Sequence, residues 1–361
     1  MAGSLAELHA LAEAPRMNVP DRQLIAEAIA INHADAGKKT LAKYAKHLDH
    51  WAGYMASHGL TFVTLQRRHV RLFMAHLAEH GGPSPHELRL QCKWCAHRGW
   101  PDGDHGPGWS ASTRKSYLSA ARFMYTHFAN ERDLPDIDPT THVKSPRLVI
   151  KRQFTPTPEQ VRAIFDAPGE PKDRLLAVWS YYAPSRRQTF SDARWRDIDL
   201  ERGTWDVVGK GDRQDRFDLH PALVREFRLY LAWQLDQARR NPRMRDALAN
   251  PDTAWVIMTR TGRKTQGQTI TKMLKWRAVR AGVAVVPATS KWDSVGGKTS
   301  LVSAHAMRRA WASAALNDPD NAQPIDVVSE VLRHADIATT RRHYAPTKGE
   351  RARSALLTMQ V

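Results

Sequence analysis

The sequence predicts a mainly α-helical chain with one small β-sheet, arranged as a helical domain followed by an α+β domain. Three observations predict it. Apolar residues recur at spacings of three and four through several windows, one stretch alternates as a hairpin, and a basic segment separates two periodic regions. With 361 residues, 42% of them hydrophobic, the chain is long enough for two cores.

Residues 1–38 read as a leader with helical content ahead of the first domain. Thr40 to Gly59 then places Leu41, Tyr44, Leu48, Trp51 and Met55 on one stripe, with Lys43, Lys46 and His47 off it. A second helical pattern, Val70 to Leu77, closes at Gly81-Gly82, and a third opens at Ser112 and carries Tyr117, Leu118, Ala121, Met124 and Phe128. Together they predict a helical domain over 39–143, interrupted at 83–109 by a stretch rich in Gly, Pro, His and Trp. The segment 144–154 holds Lys144, Arg147, Lys151 and Arg152 with no acid, which makes it the linker. Thr157-Pro158-Glu159-Gln160 is a capping box opening the second domain, 155–361. Within that domain the pattern predicts a helix from Asp173 to Tyr182, a hairpin from Thr204 to Leu219 turning at Gly209-Lys210-Gly211-Asp212, and helices for most of the remainder.

Lys+Arg 54 against Asp+Glu 37 gives a net charge of +17, which points to a polyanionic partner, nucleic acid first. No run of about 18 apolar residues occurs. Met1 to Pro20 lacks the basic-then-apolar order of a signal peptide, so the expectation is a cytoplasmic protein without a membrane partner. Cys92 and Cys95 are the two cysteines, too few for a disulfide framework. With His97 and His105 they offer four ligands inside the 83–109 stretch. A small zinc knuckle is one reading, and a loop with reduced thiols is the other.

Several cations stand where they can meet an anion. Pro184 breaks one helix and Ser185 restarts another, with Gln188 as its capping partner and Arg186 in the first turn. An arginine there is more often solvated or paired with an acid, so this feature alone assigns nothing. Lys210 occupies the hairpin tip, where most lysines are simply solvated. His305 and Arg308 lie three apart and share one helix face, and His334 precedes Tyr344 by ten residues, with Thr339-Thr340 as a helix start between them. A tyrosine hydroxyl is usually a buried ring's polar tip. It becomes a nucleophile only where cations or a base favour its deprotonation.

In order and spacing, Arg186, Lys210, His305-Ala-Met-Arg308, Leu-Arg-His334 and Tyr344 closely resemble the catalytic domain of tyrosine recombinases of the phage-integrase family. The resemblance runs from about Thr155 to Leu357, with a looser match from Thr40 to Thr140 to the family's SAM-like core-binding domain. It implies a catalytic set of Arg186, Lys210, His305, Arg308 and His334 around a scissile phosphate that Tyr344 attacks, giving a 3′-phosphotyrosine. Strand exchange then needs no metal, ATP or other cofactor. The resemblance also implies double-stranded DNA with a specific site, a dimer on each site, a tetramer in the synapse, and accessory DNA-bending or directionality proteins. A nucleoid-associated enzyme is expected, with Lys115, Arg122, Lys144, Arg147, Lys151 and Arg152 as DNA contacts. A Xer-type resolvase, a topoisomerase-like enzyme and a catalytically silent DNA-binding protein are the alternatives.

Four departures from the family pattern are visible. Pro184 replaces the usual Gly before the first arginine, and Thr189 replaces an acid three residues after it. Arg333 stands in the usual Leu-Gly-His, and the His-to-Tyr interval is one residue longer than in many members.

Overall fold

A computed structural model of the chain describes residues 21–32, 38–79, 108–131, 138–148, 153–208, 214–289, 294–318, 320–334 and 336–344. Lys210, Lys151, Arg152, Cys92, Cys95, His97 and His105, and the tail beyond Tyr344, lie outside them. The fold is mainly helical with small antiparallel sheets, and the chain divides into two compact units, Met1–Lys151 and Arg152–Val361.

The first unit holds α1 (Asp21–Ile31), α2 (Lys38–Ser57), α3 (Arg67–Glu79) and α4 (Ala111–Glu131). Its core is the predicted stripe: Leu48, Trp51 and Met55 of α2 meet Val70, Phe73 and Leu77 of α3 and Tyr117, Leu118 and Met124 of α4. α1 adds Leu24, Ile25 and Ala28 to the same cluster. α4 begins at Ala111, one residue earlier than the Ser112 pattern suggests, because the Ser110 hydroxyl accepts from the Thr113 N–H at 3.2 Å and caps it. Trp109, at the close of the 83–109 stretch, packs against this core, and its N–H reaches the Leu77 carbonyl at 2.9 Å. Gly108 just before it has no room for a side chain, since a Cβ would run into the Ala78 carbonyl.

His47 is the unusual member of this unit. It is buried, its ring stacks on Tyr117 at 4.1 Å, and neither ring nitrogen has a hydrogen-bond partner among the described residues. Burial, with help from Lys43 and Lys46, pushes its pKa down to about 4. A neutral His47 therefore stabilises the fold above the unfolded imidazole value of about 6.5, and this contribution is lost as pH falls from there toward about 4. His47→Leu is expected to flatten the acid limb of a stability-versus-pH curve between those values by on the order of 2 kcal/mol, measured by urea unfolding.

The second unit opens with the expected capping box. The Thr157 hydroxyl accepts from the Gln160 N–H, the Gln160 side chain accepts from the Thr157 N–H, and α5 (Pro158–Asp166) follows. Next come α6 (Pro171–Tyr182), α7 (Arg187–Asp192) and a three-stranded antiparallel sheet of β1 (Ile198–Asp199), β2 (Thr204–Val208) and β3 (Gln214–Asp218). β2 and β3 are the predicted hairpin strands, in register from Thr204↔Asp218 to Val208↔Gln214. The rest comprises α8 (Pro221–Arg240), α9 (Pro242–Leu248), α10 (Gly267–Arg280), β4 (Val285–Pro287), β5 (Lys298–Ser300), α11 (Ala304–Asn317), α12 (Ile325–Val331) and α13 (Ile337–Tyr344). Helices make up most of this stretch, as expected, and the β4/β5 pair adds to them two strands that were not foreseen; three-residue strands carry too short an alternation to register in sequence. Trp179 of α6 lies at the centre of the core, ringed by Phe190, Trp205 and Phe227 at 4.7 to 5.1 Å between ring centroids. This aromatic cluster fixes α6, α7, β2 and α8 together, and so fixes the chain break at Pro184 between α6 and α7.

Candidate active site

α6 ends at Tyr182, and the chain runs through buried Ala183, Pro184 and Ser185 to Arg186, which is exposed and stands at the N-cap of α7. The expected Ser185–Gln188 cap is not formed. The helix starts at Arg187, and the Gln188 amide donates to Asp192 at 2.9 Å instead. Pro184 explains the shift: its ring fixes the backbone, and its free carbonyl serves another purpose.

That carbonyl accepts from Arg308. The Arg308 guanidinium, 4% exposed, also donates to the Leu332 carbonyl, so one side chain on α11 ties the α6–α7 break to the turn after α12. α11 itself is fixed by Ser303, whose hydroxyl accepts from the Ala306 N–H at 3.2 Å. One turn before Arg308, His305 keeps an exposed face. Desolvation, then the guanidinium groups of Arg308, Arg309, Arg186 and Arg187, hold its pKa below the ordinary imidazole value, so it is a neutral acceptor at physiological pH. Burial draws Arg308 down to about 10, which leaves it a cation at neutral pH, and it lies within hydrogen-bonding reach of Tyr344.

The turn carrying His334 has a defined form. The His334 N–H reaches the Ser329 carbonyl at 3.1 Å, the Arg333 N–H reaches the Glu330 carbonyl at 2.8 Å, and Arg333 has φ 53°. This is the Schellman closure of a helix, and Arg333 occupies the left-handed position that normally takes glycine. It orients His334 so that Nδ1 pairs with the Thr340 hydroxyl at 2.8 Å while the ring stacks on Tyr344 at 6.1 Å. Thr340 is fully buried inside α13. The expected helix start at Thr339-Thr340 is therefore corrected to Asp336, whose carboxylate accepts from the Ala338 N–H at 2.8 Å. Arg186, His305, Arg308, His334 and Tyr344 thus converge on one locus.

The Phage integrase family model matches residues 155–351. The chain belongs to that family. Among its relatives, the tyrosine recombinase XerC of Xanthomonas axonopodis pv. citri (strain 306) is 27% identical over 242 residues, covering 66% of this chain and 68% of that protein. XerD of Staphylococcus saprophyticus is 22% identical over 251 residues, covering 68% and 76%. In fold, the chain is similar to XerH recombinase bound to a palindromic difH substrate, with TM-score 0.59, 16% identity and coverage of 93% and 83%. It is also similar to a lambda integrase tetramer bound to a Holliday junction, with TM-score 0.58, 11% identity and coverage of 95% and 82%.

Two further residues beside this locus were missed by sequence reasoning. Arg309 follows Arg308 and donates to the Phe154 carbonyl and the Gln153 side chain, both at 2.7 Å, fastening the start of the second unit to α11. Its signal was the doubled arginine. Thr340 had no usable signal, since its pairing with His334 depends on how α13 folds back. Thr340→Val takes away the hydroxyl that pairs with Nδ1 of His334 and so weakens the hold on the ring's orientation. Single-turnover DNA cleavage is expected to fall by roughly ten- to a hundredfold, with Thr340→Ser close to wild type.

Of the expected DNA contacts, Lys115, Lys144 and Arg147 are exposed. Arg122 instead donates to the Val143 carbonyl at 2.8 Å and to the Ser145 hydroxyl at 3.3 Å, fixing the segment after Asp138 onto α4. Among the described residues no cluster of His, Cys, Asp or Glu could hold a metal ion, and no helix is long and apolar enough to cross a membrane.

Proposed function

We propose that the chain is a site-specific DNA recombinase that cuts and rejoins DNA through a 3′-phosphotyrosine at Tyr344. The observation that carries this reading is the convergence of Arg186, His305 and Arg308 with His334 and Tyr344 at one locus. Arg186 and Arg308 hold the two nonbridging oxygens of the scissile phosphate, as planar guanidinium forks can. His305 and His334 take the phenolic proton and hydrogen-bond the phosphate. Lys210 protonates the leaving 5′ oxygen. The new ester conserves the energy of the broken bond, so a second 5′ hydroxyl reverses the attack on a partner strand, with no metal or ATP required.

The domain assignment follows: 39–143 binds DNA, the basic stretch 144–154 tracks the backbone, and 155–361 performs the chemistry. Lys115, Lys144, Arg147, Lys151 and Arg152 meet phosphates, which gives salt-dependent affinity. The DNA-bound XerH and lambda integrase structures support duplex DNA as partner, and the lambda tetramer on a Holliday junction supports a dimer per site and four protomers in the synapse. A zinc ion held by Cys92, Cys95, His97 and His105 stays a proposal for the 83–109 stretch.

The XerC and XerD relatives favour one second reading, resolution of replicon copies rather than integration of a mobile element. One experiment addresses both. Tagged protein is incubated with genomic DNA of its source, denatured in SDS and recovered, and the attached DNA is sequenced. Covalently held fragments clustered at one site support the recombinase. A single replicon locus marks the resolvase, element ends mark the integrase, and no attached DNA despite native binding marks a silent DNA-binding protein.

A further inference from the structure

Arg333 occupies a left-handed backbone position that glycine would take without cost, with φ 53°. A bulky residue kept there needs a compensating contact. Its side chain makes two. Nε donates to Oδ2 of Asp215 at 2.7 Å, and the guanidinium carbon lies 3.5 Å from the centre of the Phe217 ring. Both partners belong to β3, more than a hundred residues earlier in the chain. Nε and one face of the guanidinium are thereby engaged inside the protein, where the Arg333 side chain is 20% exposed and Nη2 is buried without a hydrogen-bond partner among the described residues.

The two ends of this contact both lead to the active site. On one side, the carbonyl of Leu332 accepts from Arg308, and His334 is the next residue after Arg333. On the other, β3 is paired with β2, Asp215 opposite Val207 and Gln214 opposite Val208. Lys210 follows Val208 by two residues, a reach of at most about 7 Å along the chain. An ion pair whose side chains are 20% and 38% exposed and a strained backbone are effects of similar small size, so net stability does not explain why arginine stands here.

We propose that Arg333 is a positioning residue that fastens the β2–β3 strand pair, from which Lys210 emerges, to the turn that carries His334 and anchors Arg308. The proposal rests on the reading of Lys210 as general acid. In the step concerned, the Tyr344 oxygen bonds to phosphorus, its proton passes to a histidine, the bond from phosphorus to the 5′ oxygen breaks, and Lys210 gives that oxygen a proton.

The test uses two duplexes carrying the site recovered by covalent capture, one with the ordinary 5′ oxygen at the scissile position and one with sulfur in its place. A thiolate leaves without needing a proton, so a defect confined to the acid disappears on the sulfur duplex. Arg333→Gly, which relieves the backbone, and Asp215→Asn, which breaks the pair from the other side, are each expected to slow covalent attachment roughly ten- to a hundredfold on oxygen. On sulfur both run within about twofold of wild type, and duplex affinity is unchanged; Arg333→Lys, which retains the charge, recovers part of the rate. Equal slowing on both duplexes, or none on either, overturns the proposal. Lys210→Ala separates the two failures. If it is slowed alike on oxygen and sulfur, the acid assignment falls; if sulfur rescues it but not Arg333→Gly, only the role of Arg333 falls.

Discussion

Tyr344→Phe is expected to abolish covalent attachment to DNA while leaving folding and native DNA binding intact. The substitution removes one oxygen. The phenyl ring still stacks on His334, and Arg308 keeps its two backbone carbonyls, so the stability change should stay within about 1 kcal/mol. No other tyrosine stands ready to replace it. Tyr181 and Tyr182 lie at the end of α6 with their rings edge to face at 5.2 Å, and burial raises the pKa of Tyr181 further from a usable nucleophile. SDS-resistant DNA measured beside a salt titration of native binding checks the outcome. Residual attachment in the variant, mapped to another residue by mass spectrometry, would move the nucleophile elsewhere.

Arg308→Lys is expected to damage chemistry and fold together. A guanidinium serves the Pro184 carbonyl, the Leu332 carbonyl and Tyr344 at once, whereas an ammonium on a flexible stem cannot span the same three partners in fixed geometry. Single-turnover cleavage should fall by about 10²- to 10³-fold, the scale seen when one preorganised donor is lost from a charged transition state. Stability should fall by about 1–3 kcal/mol, because a buried carbonyl is left unpaired. Arg186→Lys provides the contrast. That side chain is exposed and makes no cap to α7, so cleavage should drop with the unfolding midpoint unmoved. A stable Arg308→Lys, or an unstable Arg186→Lys, would mean that the division between strut and contact is wrong.

These expectations depend on long-range contacts, which is also where sequence reading stopped. Helices α2, α3 and α4 were legible because their apolar stripes are local and repeat every turn, and the Thr157–Gln160 capping box was legible because all its parts lie within four residues. The family resemblance was legible from the order of Arg186, His305, Arg308, His334 and Tyr344. Local signals misplaced the starts of α7 and α13. Ser185 and Thr339-Thr340 are good caps by composition, yet Arg308 claims the backbone beside the first, and His334 claims Thr340. The Arg333–Asp215 pair had no local trace at all. Arginine at a glycine position looked like a bare departure until the fold brought β3 beside it.

The Arg308 strut also couples the opening of two distant segments. Its two carbonyl partners come from positions 184 and 332, so the guanidinium is satisfied only when the α6–α7 break and the turn after α12 are both in place. A buried guanidinium that loses either carbonyl costs more than the hydrogen bond alone. Local unfolding at one segment therefore loosens the other, and the start of α7 and the His334 turn open and close as one cooperative unit.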